Sequence, residues 1–170
     1  MGRIHAQKAV VCINGEEIEI GGGGGPSIYD ALVDGSITRF SMPSGIIKVK
    51  NHLCAGNQSL ESINLAGCTV VEEAAFYDCR KVNQINLANA HISSLGKRAF
   101  TSIGCERENK STTKLTLDFR SSTFNTIEEE TFGTNSDVGR KVENATIYFP
   151  ETLRTIVNGA LRYLKDCTIY

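Results

Sequence analysis

The sequence lacks the features that mark several large protein classes. It has no cluster of basic residues, and its 18 Lys and Arg against 19 Asp and Glu give a net charge of −1. Affinity for nucleic acid comes mainly from clustered Lys and Arg that release counterions from phosphates, so this balance argues against a nucleic-acid partner. No apolar run approaches the roughly 20 residues that cross a bilayer, so we predict that the chain does not span a membrane.

The spacing expected of a metal site is also missing. There are six cysteines, none in a Cys-x-x-Cys pair, and three scattered histidines. Zinc sites need ligands that converge from closely spaced pairs, so we predict neither a metal nor another cofactor. Buried thiols are favoured over a disulfide framework, since free Cys behaves as a small hydrophobic residue, but both alternatives stay open.

No signal peptide is visible at the start of the sequence. Residues 1–8 mix polar and basic side chains and lead into no apolar segment of the required length. Either the chain stays in the cell that makes it, or a signal was removed from it. The compartment is therefore left open at this point.

A motif with regularly spaced apolar residues repeats along the chain. Residues 60–70 read Leu-x-x-Ile-x-Leu-x-x-Cys-x-Val, and residues 82–92 read Val-x-x-Ile-x-Leu-x-x-Ala-x-Ile, 22 residues later. An earlier copy begins at Ile37, and later copies contain Leu115-x-Leu117 and Ile147-x-Phe149. This period and pattern are those of a leucine-rich repeat.

A second motif recurs between the predicted strands. It consists of an aliphatic residue, three variable residues, a small residue and a large apolar one, as in residues 71–76 and 127–132. One turn alone buries too little apolar surface to offset the entropy of ordering its backbone, so stacked turns are required. We therefore predict an α/β or β-rich leucine-rich-repeat solenoid. It would be a right-handed coil of about five turns, with short parallel strands on one face and turns or short helices on the other.

The repeats resemble one subfamily in particular, the BspA-like leucine-rich repeats of bacteria and some protists. Residues 75–87 read Ala-Phe-x-x-Cys-x-x-Val-x-x-Ile-x-Leu, and Met42-Pro43 and Phe149-Pro150 resemble the family's strand exit with proline. The resemblance covers residues 36–170. It implies a secreted or cell-surface solenoid used for adhesion or protein binding, usually without catalysis.

Three segments follow from these patterns. Residues 1–20 are predicted to form an N-terminal β-hairpin, because Asn14-Gly15 suits a type I′ turn between two apolar runs. Residues 21–35 are predicted to form a glycine linker and a short capping helix. Residues 36–170 are the predicted solenoid. A lone hairpin is marginally stable, so self-association through it is an open possibility.

Polar residues that alternate with the apolar strand residues define a candidate binding strip on the concave face. We predict contact with a protein or glycan ligand there, although solvated strand positions are polar in any case. The insertion at 103–113 is a second candidate, either as a binding loop or as a tolerated surface loop. The predicted strip consists of Arg39, Ser41, Asn64, Gln84, Asn86, Lys114, Thr116 and Tyr148, flanked by Ser62, Asp118 and Thr146.

No catalytic constellation stands out. Glu128, Glu129 and Glu130 occupy the variable positions of the crossing motif, so we predict that they form a solvated face. His52 and His91 lie on neighbouring turns without a nucleophile motif beside them. The sequence thus favours a non-catalytic adhesion or recognition module. The alternative is a structural assembly protein, such as a phage or prophage virion component.

Overall fold

The structure, a computed structural model, describes residues 9–13, 16–20, 37–42, 45–133 and 139–170, with backbone alone for the first two ranges. All the regular elements in these ranges are short strands. They are β1 (Ala9–Ile13), β2 (Glu16–Ile20), β3 (Ile37–Ser41), β4 (Lys48–Val49), β5 (Ser62–Asn64), β6 (Val70–Val71), β7 (Gln84–Asn86), β8 (Ser94–Leu95), β9 (Leu115–Asp118), β10 (Thr126–Ile127), β11 (Val142–Glu143), β12 (Ala145–Tyr148), β13 (Thr155–Ile156), β14 (Leu164–Lys165) and β15 (Thr168–Ile169).

One strand of each turn stacks in parallel on the corresponding strand of the next turn. β3, β5 and β7 pair in this way, with Ile63 beside Ile85. β9, β12 and β15 pair likewise, with Leu117 beside Ile147. β9 contacts β7, but these two strands belong to separate sheets, and the insertion at 103–113 lies between them in sequence. The predicted solenoid of about five turns is confirmed.

Further ladders of two-residue strands run along the other sides of the coil. β4, β6 and β8 form one parallel ladder, β10 and β13 a second, and β11 and β14 a third. In β6 and β8, Val71 and Leu95 are buried while the preceding residue is more exposed. The ladder of β4, β6 and β8 therefore contributes one apolar side chain per turn to the interior.

The interior is a continuous apolar column shared by neighbouring turns. Phe76 and Phe100 stack with ring centroids 5.7 Å apart, and Phe40 meets Phe76 edge-on at 5.5 Å. Phe119 continues the series, 6.1 Å from Phe100. Such aromatic pairs contribute about 0.5–1.5 kcal/mol each beyond their burial. Because each of these four rings contacts a ring of another turn, stability comes from the array and not from single turns.

A residue with positive φ in each crossing segment explains why these segments form turns. A left-handed residue cannot continue a right-handed helix. The N–H groups of Ala74 and Arg98 instead donate to carbonyls of the next turn, at 3.0 and 3.3 Å. Of the two conformations predicted here, turns are confirmed and no helix occurs in the described residues. The equivalent positive-φ residues are His52, Ala74, Arg98, Glu130 and Gly159.

The insertion at 103–113 closes around a buried arginine. Arg107 is 3% exposed, and its guanidinium donates to the carbonyls of Gly104, Thr113 and Glu143 at 2.9–3.1 Å. Burial lowers the pKa of Arg107, because the charged form loses its hydration. The insertion is thereby fastened to the turn that contains β11.

At the other end of the chain, β1 lies between β2 and β3 and is antiparallel to both. The sheet order is β2-β1-β3-β5-β7, so β1 covers the edge of β3. The predicted turn at Asn14-Gly15, the glycine linker and the capping helix lie outside the described residues. The segment boundaries at 20 and 35 stay predictions.

Candidate functional site

The solvent-facing side of the stacked strands presents two parallel rows of side chains. Strand register places Gln84 beside Ser62, and Asn86 beside Asn64. It also places Thr116 beside Thr146, and Asp118 beside Tyr148. Tyr170 follows Tyr148, because the N–H of Phe149 donates to its carbonyl at 3.0 Å. The first row is Arg39, Ser62, Gln84, Thr116, Thr146 and Thr168, of which Thr146 is buried; the second row is Ser41, Asn64, Asn86, Asp118, Tyr148 and Tyr170.

This register corrects one feature of the predicted strip. The motifs Leu115-x-Leu117 and Ile147-x-Phe149 align Thr116 with Tyr148, but Thr116 lies in the first row and Asp118 lies beside Tyr148. β9 has an additional apolar residue, Leu115, before the position that matches Ile147. Leu117, and not Leu115, therefore corresponds to Ile147. Lys114 precedes β9 and belongs to neither row. All eight predicted residues are at least partly exposed, and their contact with a ligand stays a prediction.

Three side chains of the second row form hydrogen bonds with the backbone just after the strands that contain them. The side-chain oxygen of Asn64 accepts a hydrogen bond from the Ala66 N–H at 3.0 Å, and that of Asn86 accepts one from the Ala88 N–H at 3.0 Å. The carboxylate of Asp118 likewise accepts a hydrogen bond from the Arg120 N–H, two residues later, at 3.1 Å. Such side chains replace a backbone acceptor and start the turn. The amide N–H groups of the two asparagines remain for a ligand.

The second row ends in a stack of an arginine and two tyrosines. The Arg120 guanidinium carbon lies 4.1 Å from the centroid of the Tyr148 ring. The rings of Tyr148 and Tyr170 are 5.0 Å apart and inclined by 12°. Because the three residues come from successive turns, Tyr148 lies in the middle and Tyr170 on the outside. We call Arg120, Tyr148 and Tyr170 the Arg–Tyr stack.

The charge of the stack is neutralised by Asp118. Arg120 donates from Nε to one carboxylate oxygen at 2.9 Å and from Nη2 to the other at 2.7 Å. These hydrogen bonds hold the pKa of Asp118 below its usual value and raise that of Arg120. The guanidinium is thus fixed in position by a carboxylate below it and a ring beside it.

Two clefts flank Arg120 and Ser121, which line both of them. One, of about 560 Å³, is lined by Tyr148, Tyr170, Glu151 and other residues of the last two turns. The other, of about 470 Å³, lies beside Asn86 and Thr116. Both volumes fall within the range of about 300–1,000 Å³ that is usual for ligand sites. Arg120 and Ser121 form the common wall of the two clefts, and we call this pair of adjacent clefts the groove.

Strand alternation in the sequence predicts Tyr148 and Asn86 as surface residues of the strip but does not predict Arg120 or Tyr170. Thr168-Ile169-Tyr170 repeats Thr146-Ile147-Tyr148 letter for letter, and that repetition could have revealed the second tyrosine. Arg120 lies beyond its strand, in a turn, so strand alternation could not reveal it.

The glutamate run forms ion pairs between turns. Glu130 accepts two bonds from Arg98, at 2.8 and 3.1 Å. Lys97 lies 3.2 Å from Glu73 and 3.8 Å from Glu129. Glu129 and Glu130 are therefore paired with basic residues of the preceding turn.

Of the other reactive groups, His91 is hydrogen-bonded and four cysteines are buried, whereas His52 is exposed and Cys167 is half-buried. His91 lies 2.9 Å from the Ser121 carbonyl oxygen. Cys54, Cys68, Cys79 and Cys105 are free and buried, and burial raises the pKa of the Cys68 and Cys105 thiols to about 11. Among the described residues, no three metal-ligating side chains come together. The same part of the chain holds no helix long and apolar enough to cross a membrane.

Comparison with known proteins bears on this repeat architecture. Residues 29–169 match the family described as BspA type Leucine rich repeat region, in six copies. The chain belongs to this family. BspA-type repeats form scaffolds for interaction with other molecules, and solenoids of this kind typically lack enzymatic activity. Neither a curated protein nor a solved structure matches the chain.

Proposed function

We propose that this BspA-type chain is a non-catalytic recognition module that binds a protein or glycan through the second row. The observation behind the proposal is the Arg–Tyr stack, an aromatic surface fixed in place beside two adjacent clefts. Aromatic residues and arginine dominate binding energy at recognition surfaces, because they bury a large area with little loss of conformational freedom. Elsewhere the rows consist mainly of Ser, Thr, Asn and Gln.

Two observations support the absence of catalysis. Asp118 is held as an anion by Arg120, so it is poorly suited to donate or accept a proton. The buried thiols in the described residues have raised pKa values, which disfavours the thiolate needed for nucleophilic attack.

A binding array of glycans and extracellular-matrix proteins, probed with the whole chain, tests the proposal. The Tyr148→Ala/Tyr170→Ala double variant is expected to lose at least tenfold in affinity for any ligand that binds. Glu108→Gln, an exposed change in the insertion, serves as the control and should bind normally. Circular dichroism melts establish that all three chains are folded. Equal binding by the double variant and the parent chain would place the ligand elsewhere.

A second candidate function is self-assembly through the last turn. Ile156 and Ile169 are 52% and 41% exposed, on β13 and β15. Each of these strands lies at the edge of its sheet. At the opposite end of the solenoid, β1 covers the edge of β3. A head-to-tail contact, between the last turn of one copy and the first turn of another, is therefore disfavoured. We propose a two-fold contact in which the last turns of two copies meet, since such a contact uses one surface twice.

Light scattering during size-exclusion chromatography tests this assembly. A dimer of the whole chain is expected, and Ile156→Lys/Ile169→Lys should convert it to a monomer. Ile47→Lys is the matched control, because Ile47 is similarly exposed, at 55%, on the first turns. A monomeric parent chain, or equal dissociation by the control, would eliminate this contact. Self-association through the N-terminal strands is tested separately by deleting residues 1–25.

A further inference from the structure

We infer that the groove beside the Arg–Tyr stack binds an uncharged glycan chain, with one sugar ring stacked on Tyr170. This inference rests on the proposed function and specifies its ligand class. The position of Tyr170 supports it first. Tyr170 is 69% exposed, whereas Tyr148 is covered by Arg120 and Tyr170. One side of the Tyr170 ring lies against Tyr148, and most of this tyrosine is accessible to a ligand. An aromatic face is electron-rich and attracts the polarised C–H groups of a flat, hydroxylated ring.

The electrostatics of the groove disfavour an anionic ligand. Arg120 is the basic residue that lines both clefts, and two of its five donors bond the two carboxylate oxygens of Asp118. The carboxylate offsets the positive charge of Arg120, so an anion beside this guanidinium would also lie close to a negative group. Glu151, at the edge of the larger cleft, adds negative charge. Acidic glycans and phosphorylated ligands are therefore expected to bind worse than uncharged ones.

The polar groups that remain suit hydroxyl ligands. Ser122 and Thr152 donate to the carbonyls of Ala90 and Phe124 at 3.0 and 2.9 Å, so their hydroxyl protons are used within the fold. Glu151 lines the same cleft and is exposed. A carboxylate can accept hydrogen bonds from two neighbouring hydroxyls, and the tyrosine hydroxyl can donate or accept.

The second cleft extends the site along the row. It adds the amide N–H groups of Asn86, whose oxygen is engaged with Ala88, and the hydroxyl of Thr116. Uncharged donors of this kind again match hydroxyl and ring oxygens. Because the two clefts meet at Arg120 and Ser121, a linear chain of several sugars fits better than a single sugar.

Isothermal titration of the whole chain against neutral hexasaccharides tests this inference. The probes are the β-1,4-linked glucose and xylose and the α-1,4-linked glucose hexamers, with galacturonic acid hexamer as the acidic counterpart. At least one neutral probe should bind, and the acidic one should bind at least tenfold more weakly. Tyr170→Ala should lower the affinity at least tenfold, while Tyr170→Phe, which keeps the ring, should lower it less than threefold. Glu151→Gln should lower it several-fold, and the control Glu108→Gln should not.

Three results would overturn the inference. One is the failure of every neutral probe to bind at millimolar concentration. Another is binding that Tyr170→Ala leaves unchanged. The third is tighter binding of choline or a lysine-rich peptide, which would assign the tyrosine and Glu151 to a cation. If an array identifies a protein ligand that requires Tyr148 and Tyr170 while no sugar binds, the recognition function stands and the glycan assignment falls.

Discussion

At the scale of single residues, the second row combines side chains that shape the backbone with side chains open to a ligand. Asn86 shows both, because its oxygen accepts from Ala88 while its amide N–H groups face the smaller cleft. Asn64 has the same backbone bond one turn earlier. A substitution that removes a ligand contact at such a position also alters the turn. The oxygen and the amide must therefore be tested separately.

Asn86→Ala is expected to lower the free energy of unfolding by about 1 kcal/mol, because it leaves the Ala88 N–H without its acceptor. Asn86→Asp keeps the oxygen and should cost clearly less. Urea denaturation of the three chains measures both changes. If Ala and Asp variants were equally stable, the turn would not depend on this bond.

Asp118 gives a prediction about pH. Its pKa is lowered in the folded chain, mainly by the hydrogen bond from Arg120. A carboxyl whose pKa falls on folding stabilises the fold above its unfolded pKa, near 3.8, and this contribution is lost as the pH falls through the folded value. The parent chain should therefore exceed Asp118→Asn in stability near neutral pH, and the difference should vanish in acid. Asn keeps an oxygen for the Arg120 N–H, so the turn itself is retained.

Urea titrations at several values between about pH 7 and about pH 2 provide the measurement for both chains. Arg120→Gln in a parallel series is the partner control and should show the same loss of pH dependence. A stability difference that persists at the acidic end would mean that the charge of Asp118 contributes nothing.

At the scale of elements, the insertion is held to the solenoid by one buried guanidinium. Arg107→Ala removes donors to the carbonyls of Gly104, Thr113 and Glu143, so we expect a loss of about 3 kcal/mol. Arg107→Lys should recover only part of it, since one ammonium cannot reach all of these oxygens. Urea denaturation measures stability, and limited proteolysis reports whether the insertion opens first. Arg162→Ala, at an exposed residue, should change stability by less than about 0.5 kcal/mol.

Close contact between crossing segments limits the side chain at Gly96. A Cβ there would lie 2.5 Å from the Glu73 backbone nitrogen, in the preceding turn. Gly96→Ala should therefore force the two turns apart and cost about 3 kcal/mol. A Cβ at Gly139 meets nothing within 4 Å, so Gly139→Ala is the control and should be nearly neutral. Thermal melts compare the two, and equal melting temperatures would show that the crossing segments yield easily.

The elements also show how far sequence reasoning reaches. Apolar spacing around Ile63 and Ile85 predicted parallel strands, because the same spacing recurs in every turn. It failed at Thr116, where Leu115 and Leu117 are both apolar and the motif fits in two registers. Apolar spacing did not determine the conformation of the crossing segments. Ala74 and Arg98 adopt a positive φ there, which neither alanine nor arginine favours. Arg120 joins the site through contacts with Asp118 and Tyr148, which no local pattern encodes.

At the scale of the whole molecule, each turn of a solenoid packs against its neighbouring turns. The two ends of this solenoid differ in what packs against their outer sides. β1 lies against the first solenoid strand, β3. In the last turn, both residues of β13 and both residues of β15 are exposed, whereas the central residues of β5 and β7 are buried. In such an array, stability is approximately a sum of the stabilities of single turns and the contacts between neighbours. A turn with one neighbour is expected to open before a turn with two.

Hydrogen exchange of the native chain tests this gradient. Amides in 151–170 should exchange with the smallest opening free energy among residues 45–170, and amides in 60–100 should approach the global value. Ile147→Ala removes a buried side chain of β12 and should speed exchange in the last turn far more than in residues 60–100. Phe76→Ala, in the interior of the central turns, is the matched change and should speed exchange throughout. One uniform opening free energy in both variants would mean that the solenoid unfolds as a single unit, with the Arg–Tyr stack as firmly held as the core.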